Sequence, residues 1–171
     1  KRYGGAGYGN VSARLPSFSS GPGQRRFLIT GTQTGEIAEL NYEHLCLVDE
    51  YDIENNVVHS SGEIAPSSES LTHGSIYDLN SDIRFVFHGH VPIIWNAAKK
   101  LGLPTTNADV EYGTRAMALE TKRLYDSTKL PESKCYVMAG HEDGVVTFGK
   151  RASEAGEVFV RILAKAHSLR Y

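Results

Sequence analysis

Residues 85–90 read Phe85-Val86-Phe87-His88-Gly89-His90, and the fold follows from them. Three bulky apolar residues in succession predict a buried strand. Positions i and i+2 of a strand point to the same face, so His88 and His90 present two imidazoles side by side across a glycine. Two neutral imidazoles on one face make half of a divalent-metal site. The alternative is a pair of exposed histidines at a strand end.

The flanks predict the layers around this strand. Pro92 suits the first turn of a helix, with Ile93, Ile94, Ala97, Ala98 and Leu101 on its apolar face, Trp95 packing, and Gly102 as its stop. A connector, residues 104–109, leads to a helix through about 112–125 that would use Tyr112, Ala116, Leu119 and Leu124. Residues 135–139 read as a strand ending at Gly140-His141. A tight turn, Glu142-Asp143-Gly144, returns the chain through residues 145–149. The last helix has Ser153 as a cap, and Ala155, Val158, Phe159, Ile162, Leu163 and Ala166 recur at helical spacing.

Upstream, residues 3–9 hold four glycines in seven positions, a turn that permits close backbone approach. Asn10 and Ser12 follow as alternate polar positions. No Gly-Lys-Ser/Thr follows, so this is not a nucleotide-binding loop of the Walker type. Residues 16–24 are a surface loop, and residues 26–30 a strand ending in Thr30-Gly31-Thr32, a turn whose amides can face an anion. Residues 44–60 form a hairpin turning at Glu54-Asn55-Asn56, with His44 and His59 as surface or packing histidines. Pro66-Ser67-Ser68-Glu69 opens a helix, with one serine as N-cap and Glu69 in the first turn. Such a start can bind an anion or can simply be capped.

Hairpins mixed with amphipathic helices predict one α/β domain over 1–171, with a mixed, largely antiparallel sheet and helices on both faces. Of 171 residues, 40% are hydrophobic and 22% charged, and the net charge is −2. That balance argues against a nucleic-acid or anionic-membrane surface, and no run is long enough for a transmembrane helix. Cys46 and Cys135 sit in apolar runs and read as buried thiols of a reducing, cytoplasmic compartment. The opening Lys1-Arg2-Tyr3-Gly4 looks like the middle of a domain, so an N-terminal segment is expected before it.

Taken together, Gly9-Asn10-Val11-Ser12 with Arg14, Leu28-Ile29-Thr30-Gly31, Pro66-Ser67-Ser68-Glu69, His88-Gly89-His90, and His141 with residues 144–149 resemble the class II aldolase/adducin family. The resemblance implies a three-layer α/β/α domain, a helix as the segment before Lys1, and a homotetramer with active sites between subunits. It implies a divalent metal on His88, His90 and His141, most often zinc, with manganese, cobalt or iron as alternatives. It gives Glu69 the acid/base role, and in some members a place as a further metal ligand, and it gives Asn10, Thr30, Gly31, Ser67 and Ser68 the phosphate of a small sugar phosphate. The implied activity is retro-aldol cleavage of such a compound or of a related hydroxy-carbonyl compound.

Thr72-His73 with Tyr77, Ile94-Trp95, and residues 105–109 with Tyr112-Gly113-Thr114 resemble the sugar-phosphate 4-epimerase branch. There an aspartate matching Asp109 is the acid/base on a neighbouring subunit, although that branch usually carries aspartate at the position of Glu69. Decarboxylases and dehydratases share the family. The adducin branch uses the fold for interaction and is not expected to keep the full metal set. One departure is local: Glu142-Asp143 lengthen the turn after His141, which can displace the third ligand.

Overall fold

The computed structural model describes residues 2–5 and 7–169. Seven strands form one sheet: β1 (Asn10–Arg14), β2 (Phe27–Thr30), β3 (Leu45–Asp52), β4 (Val57–Ser61), β5 (Phe85–His90), β6 (Cys135–Val137) and β7 (Gly144–Gly149). Their spatial order is β4-β3-β2-β1-β5-β7-β6. Every pairing between these strands is antiparallel. The mixture expected from sequence reduces to one isolated parallel bridge, Thr105 with Val137.

The histidine strand β5 lies inside the sheet, between β1 and β7. Its register puts Asn10, His88 and Val146 in one row, and Ser12, Val86 and Phe148 in the next. Five helices cover the sheet: α1 (Ser70–Leu79), α2 (Pro92–Leu101), α3 (Arg115–Ser127), α4 (Leu130–Ser133) and α5 (Ala152–Ser168). One core holds Phe27, Ile29, Val86, Val146 and Phe148 with Ile76 and Tyr77 of α1, Met117 and Leu124 of α3 and Leu130 of α4. The other holds Val137 and Val145 with Ile94 of α2 and Val158, Ile162 and Ala166 of α5. This is the three-layer α/β/α arrangement. Val86 belongs to the first core, so His88 and His90, two and four residues on, share its face.

Local chemistry moves several boundaries. The Ser67 hydroxyl accepts from the Glu69 N–H at 3.3 Å, and the Ser70 N–H donates to the Ser67 carbonyl at 3.0 Å. This serine turn occupies residues 67–69, so α1 starts at Ser70 and Glu69 stands just before it rather than in its first turn. Thr114 caps α3 by accepting from the Met117 N–H at 3.3 Å. That start directs Met117, Thr121 and Leu124 inward and leaves Ala116 and Leu119 exposed, against the face expected from sequence. Tyr112 precedes the helix. Ser153 does not cap α5; the Glu154 carboxylate accepts from the Lys150 N–H at 2.7 Å.

Candidate metal centre

Two close approaches build the centre. Gly89 lies on the opposite face of β5 from the histidines, where an added Cβ would meet the Phe159 ring at 3.1 Å. Gly144 pairs with His90 across β5 and β7, and a Cβ there would sit 3.0 Å from His141 Cδ2. Glycine at 144 thus leaves room for the His141 ring beside His90. The long turn does not displace His141. Its N–H donates to the Met138 carbonyl, the Gly144 N–H donates to its carbonyl, and Asp143 absorbs the extra length at φ 63°.

One ligand atom from each of His88, His90 and His141 lies within 4.8 Å of the other two. His90 Nε2 and His141 Nε2 are 3.0 Å apart. A tetrahedral zinc with bonds of about 2.0–2.1 Å holds its nitrogens roughly 3.3 Å apart, close to the His90–His141 separation. Burial lowers all three imidazoles from 6.5: His88 well below it, with His141 and His90 adding to the effect, and His141 to about 4. For His90, burial is opposed by Asp143 and by the Glu142 backbone. All three are therefore neutral at pH 7, the form that binds a metal.

Glu69 completes the group. It is 3% exposed, and its Oε1 is 3.8 Å from His141 Nε2. Burial pushes its carboxyl up to about 7, with Thr72 opposing. Among the described residues, nine buried side-chain polar atoms lack a close hydrogen bond. Seven belong to this region: Asn10 Oδ1 and His73 Nε2; the Glu69 oxygens and Thr72 Oγ1, which interact only weakly with one another; and His88 Nδ1 and His90 Nδ1, whose weak partners are the Val145 and Glu142 backbone. Buried polar atoms are ordinarily paired. Their concentration around three neutral imidazoles fits a divalent cation and a polar ligand.

A cavity of about 220 Å³ opens onto the centre, lined by residues 7–10, 31–33 and 67–69 with His88, Tyr112 and His141. Of the residues expected to hold phosphate, Asn10, Gly31, Ser67 and Ser68 line it. The Asn10 amide donates to the Ser67 hydroxyl at 2.9 Å. The Gly31 and Thr32 amides are not turned to an anion: they donate to the carbonyls of His44 and Ala65. Thr30 is not in the lining; its hydroxyl accepts from the Val11 N–H at 3.2 Å and ties β1 to β2. Asp109 is exposed in a turn and stays outside the lining.

His73 and Tyr77 lie buried behind the centre, both 2.6 Å from the Ser12 hydroxyl. Tyr8, Gln33 and Tyr112 reach the cavity without having been singled out as ligand-binding residues from sequence. For Tyr8 the only signal was an aromatic between glycines, whereas Tyr112 stands in the stretch that resembles the epimerase branch.

The titrations carry opposite signs. His73 (to about 3), His88 and His141 resist protonation, so the folded state binds fewer protons than the unfolded one as pH falls below 6.5. Glu69 opposes this between 4.5 and about 7. Three histidines outweigh one carboxyl. The thermal midpoint of metal-free protein should therefore fall steadily from pH 6.5 to 4.5; a flat profile would contradict the buried, neutral histidines.

The fold and site define a three-layer α/β/α domain carrying a buried three-histidine centre. Residues 1–167 match the family described as Class II Aldolase and Adducin N-terminal domain, and the chain belongs to that family. No curated protein sequence matches it. Among solved structures it is similar to a sugar-phosphate aldolase from Thermotoga maritima (22% identity, 96% of this chain and 84% of that one, TM-score 0.69). It is also similar to an L-fuculose-1-phosphate aldolase from Thermus thermophilus (21%, 97% and 83%, 0.67). A third is the N-terminal class II aldolase domain of a conserved protein from Thermoplasma acidophilum (18%, 96% and 84%, 0.60). These likenesses concern the fold.

Proposed function

We propose that this chain is a metal-dependent lyase that cleaves a small sugar phosphate, or a related hydroxy-carbonyl compound, by retro-aldol chemistry. The observation that supports it is the pairing of three neutral imidazoles with one buried carboxyl, Glu69, held near neutrality 3.8 Å from His141. His88, His90 and His141 would hold zinc, or manganese, cobalt or iron. A divalent ion there, when bound, supplies Lewis acidity for negative charge developing on substrate oxygens.

In cleavage, the bond breaks between the carbon next to the carbonyl and the hydroxyl-bearing carbon beyond it. The hydroxyl gives its proton to water as its fragment becomes an aldehyde, and the electron pair of the broken bond stays on the carbon next to the carbonyl. Glu69 gives a proton to that carbon, and takes it back in the addition direction. Asn10, Ser67 and Ser68 hold the phosphate and so fix the reacting carbons relative to the histidines. On this reading the protein is a cytoplasmic homotetramer with sites between subunits. Asp109, exposed in its own chain, would act on a neighbouring one and would give the epimerase variant of the same chemistry.

The test is a panel of ketose phosphates with metal-loaded protein, read by aldehyde release. Cleavage supports the proposal; no cleavage and no epimerisation across the panel would point to an interaction module. Ser67→Ala and Ser68→Ala should each raise KM for a phosphorylated substrate about tenfold or more, since hydrogen bonds to charged groups are worth about 1.5–3 kcal/mol. Unchanged KM would mean that the substrate carries no phosphate.

A further inference from the structure

The N-terminal segment does more than wall the cavity. The Tyr8 ring lies on the His90 imidazole, with centroids 4.6 Å apart and planes 14° from parallel. Tyr3 stands edge-on to both, 5.2 Å from Tyr8 and 5.1 Å from His90. The Tyr3 hydroxyl donates to Asp143 Oδ2 at 2.5 Å. Asp143 is 2% exposed and lies two residues past His141. Its main-chain carbonyl accepts from the Val91 N–H at 2.8 Å, directly after His90. One residue thus grips the chain behind His90 with its backbone and the segment in front of His90 with its side chain.

The backbone singles out the same residues. Five non-glycine residues among those described have positive φ: Tyr3, Gln33, Asn56, Lys134 and Asp143. Asn56 sits in the β3–β4 hairpin turn and Lys134 ends α4, where this conformation is ordinary. The other three border the cavity or its aromatic cover. Left-handed backbone at residues with side chains persists where surrounding contacts enforce it, and such positions cluster at functional sites. Tyr3 at 58° and Asp143 at 63° are joined by the hydrogen bond.

We propose that Asp143 and Tyr3 form a latch that holds Tyr8 against His90 and so fixes the orientation in which His90 meets a metal. The inference rests on reading the three histidines as a metal centre. Asp143 and Tyr3 are positioning residues: they act through Tyr8 and His90. Ligand imidazoles are oriented by such outer partners, whose loss typically costs 10–100-fold in metal affinity. Asp143, one of the two residues that lengthen the turn after His141, thereby acquires a role.

The experiment compares wild type with Tyr3→Phe, which keeps the ring, and Asp143→Gly, which removes the acceptor and suits the left-handed backbone. Cobalt(II) affinity is read by chelator competition and ligand geometry by visible absorption. NMR of the metal-free protein reads the His90 ring protons, which the Tyr8 ring current displaces. Each variant should lose roughly 10–100-fold in cobalt affinity, shift the cobalt bands and relax the His90 resonances. The double variant should be no worse than either single one, because one latch is broken in each. Variants with wild-type affinity, spectrum and resonances would overturn the latch alone. A wild type that takes up no cobalt would overturn the metal reading and with it the latch's purpose.

Discussion

Glu69→Gln is expected to lower turnover by roughly a hundredfold or more while the protein keeps its metal. The amide preserves shape and can accept a hydrogen bond, but it cannot give or take a proton near neutral pH. The three imidazoles remain, so the metal should stay, and the loss should fall on kcat more than on KM. The same substitution carries a stability signature. Glu69 is pushed from 4.5 up to about 7 by burial, so the folded state is penalised progressively as pH rises through that window. Removing the charge should raise the thermal midpoint of metal-free protein above pH 7 and leave it nearly unchanged below pH 4.5. Full activity in the variant would remove Glu69 from the acid/base role. An unchanged midpoint at high pH would contradict its burial as a strained carboxylate.

His88→Ala should abolish metal-linked stabilisation. His88 is 5% exposed, sits in the row Asn10–His88–Val146 and cannot be replaced by a neighbouring donor on β5. A ligand at a thousand times its Kd stabilises the folded state by about 4 kcal/mol, which for a chain of this size raises the thermal midpoint by roughly 10 °C. Wild type should show that rise on zinc addition, and His88→Ala should show none. An equal rise in both would place the zinc elsewhere.

The sheet and the His88/His90 half of the site were legible because both depend on periodicity along one strand. The family resemblance supplied His141. No local pattern gives its approach, because it lies 51 residues from His90 and depends on Gly144 clearing space across β7. Elements set by capping were harder. The apolar Ala116 and Leu119 suggested one face of α3, while the Thr114 cap turns Met117 and Thr121 inward. The phosphate reading was legible for Asn10, Ser67 and Ser68. It failed for the Gly31 and Thr32 amides, since their acceptors, His44 and Ala65, come from distant segments. Tyr8 and Tyr112 are exposed aromatics in glycine-containing loops, and only tertiary placement brings them to His90 and His141.

Across the described residues, no helix is long and apolar enough to cross a membrane. Cys46 and Cys135 are buried free thiols. Neither lines the cavity at the three histidines, and burial pushes the Cys135 thiol up to about 12, far from a reactive thiolate.

The most direct test of the account is the metal content of purified protein, by elemental analysis after gel filtration and again after zinc addition. The account predicts about one zinc, manganese, cobalt or iron per chain, retained through filtration. Protein that carries no such metal as purified, and takes none up from added zinc, would contradict the three-histidine centre.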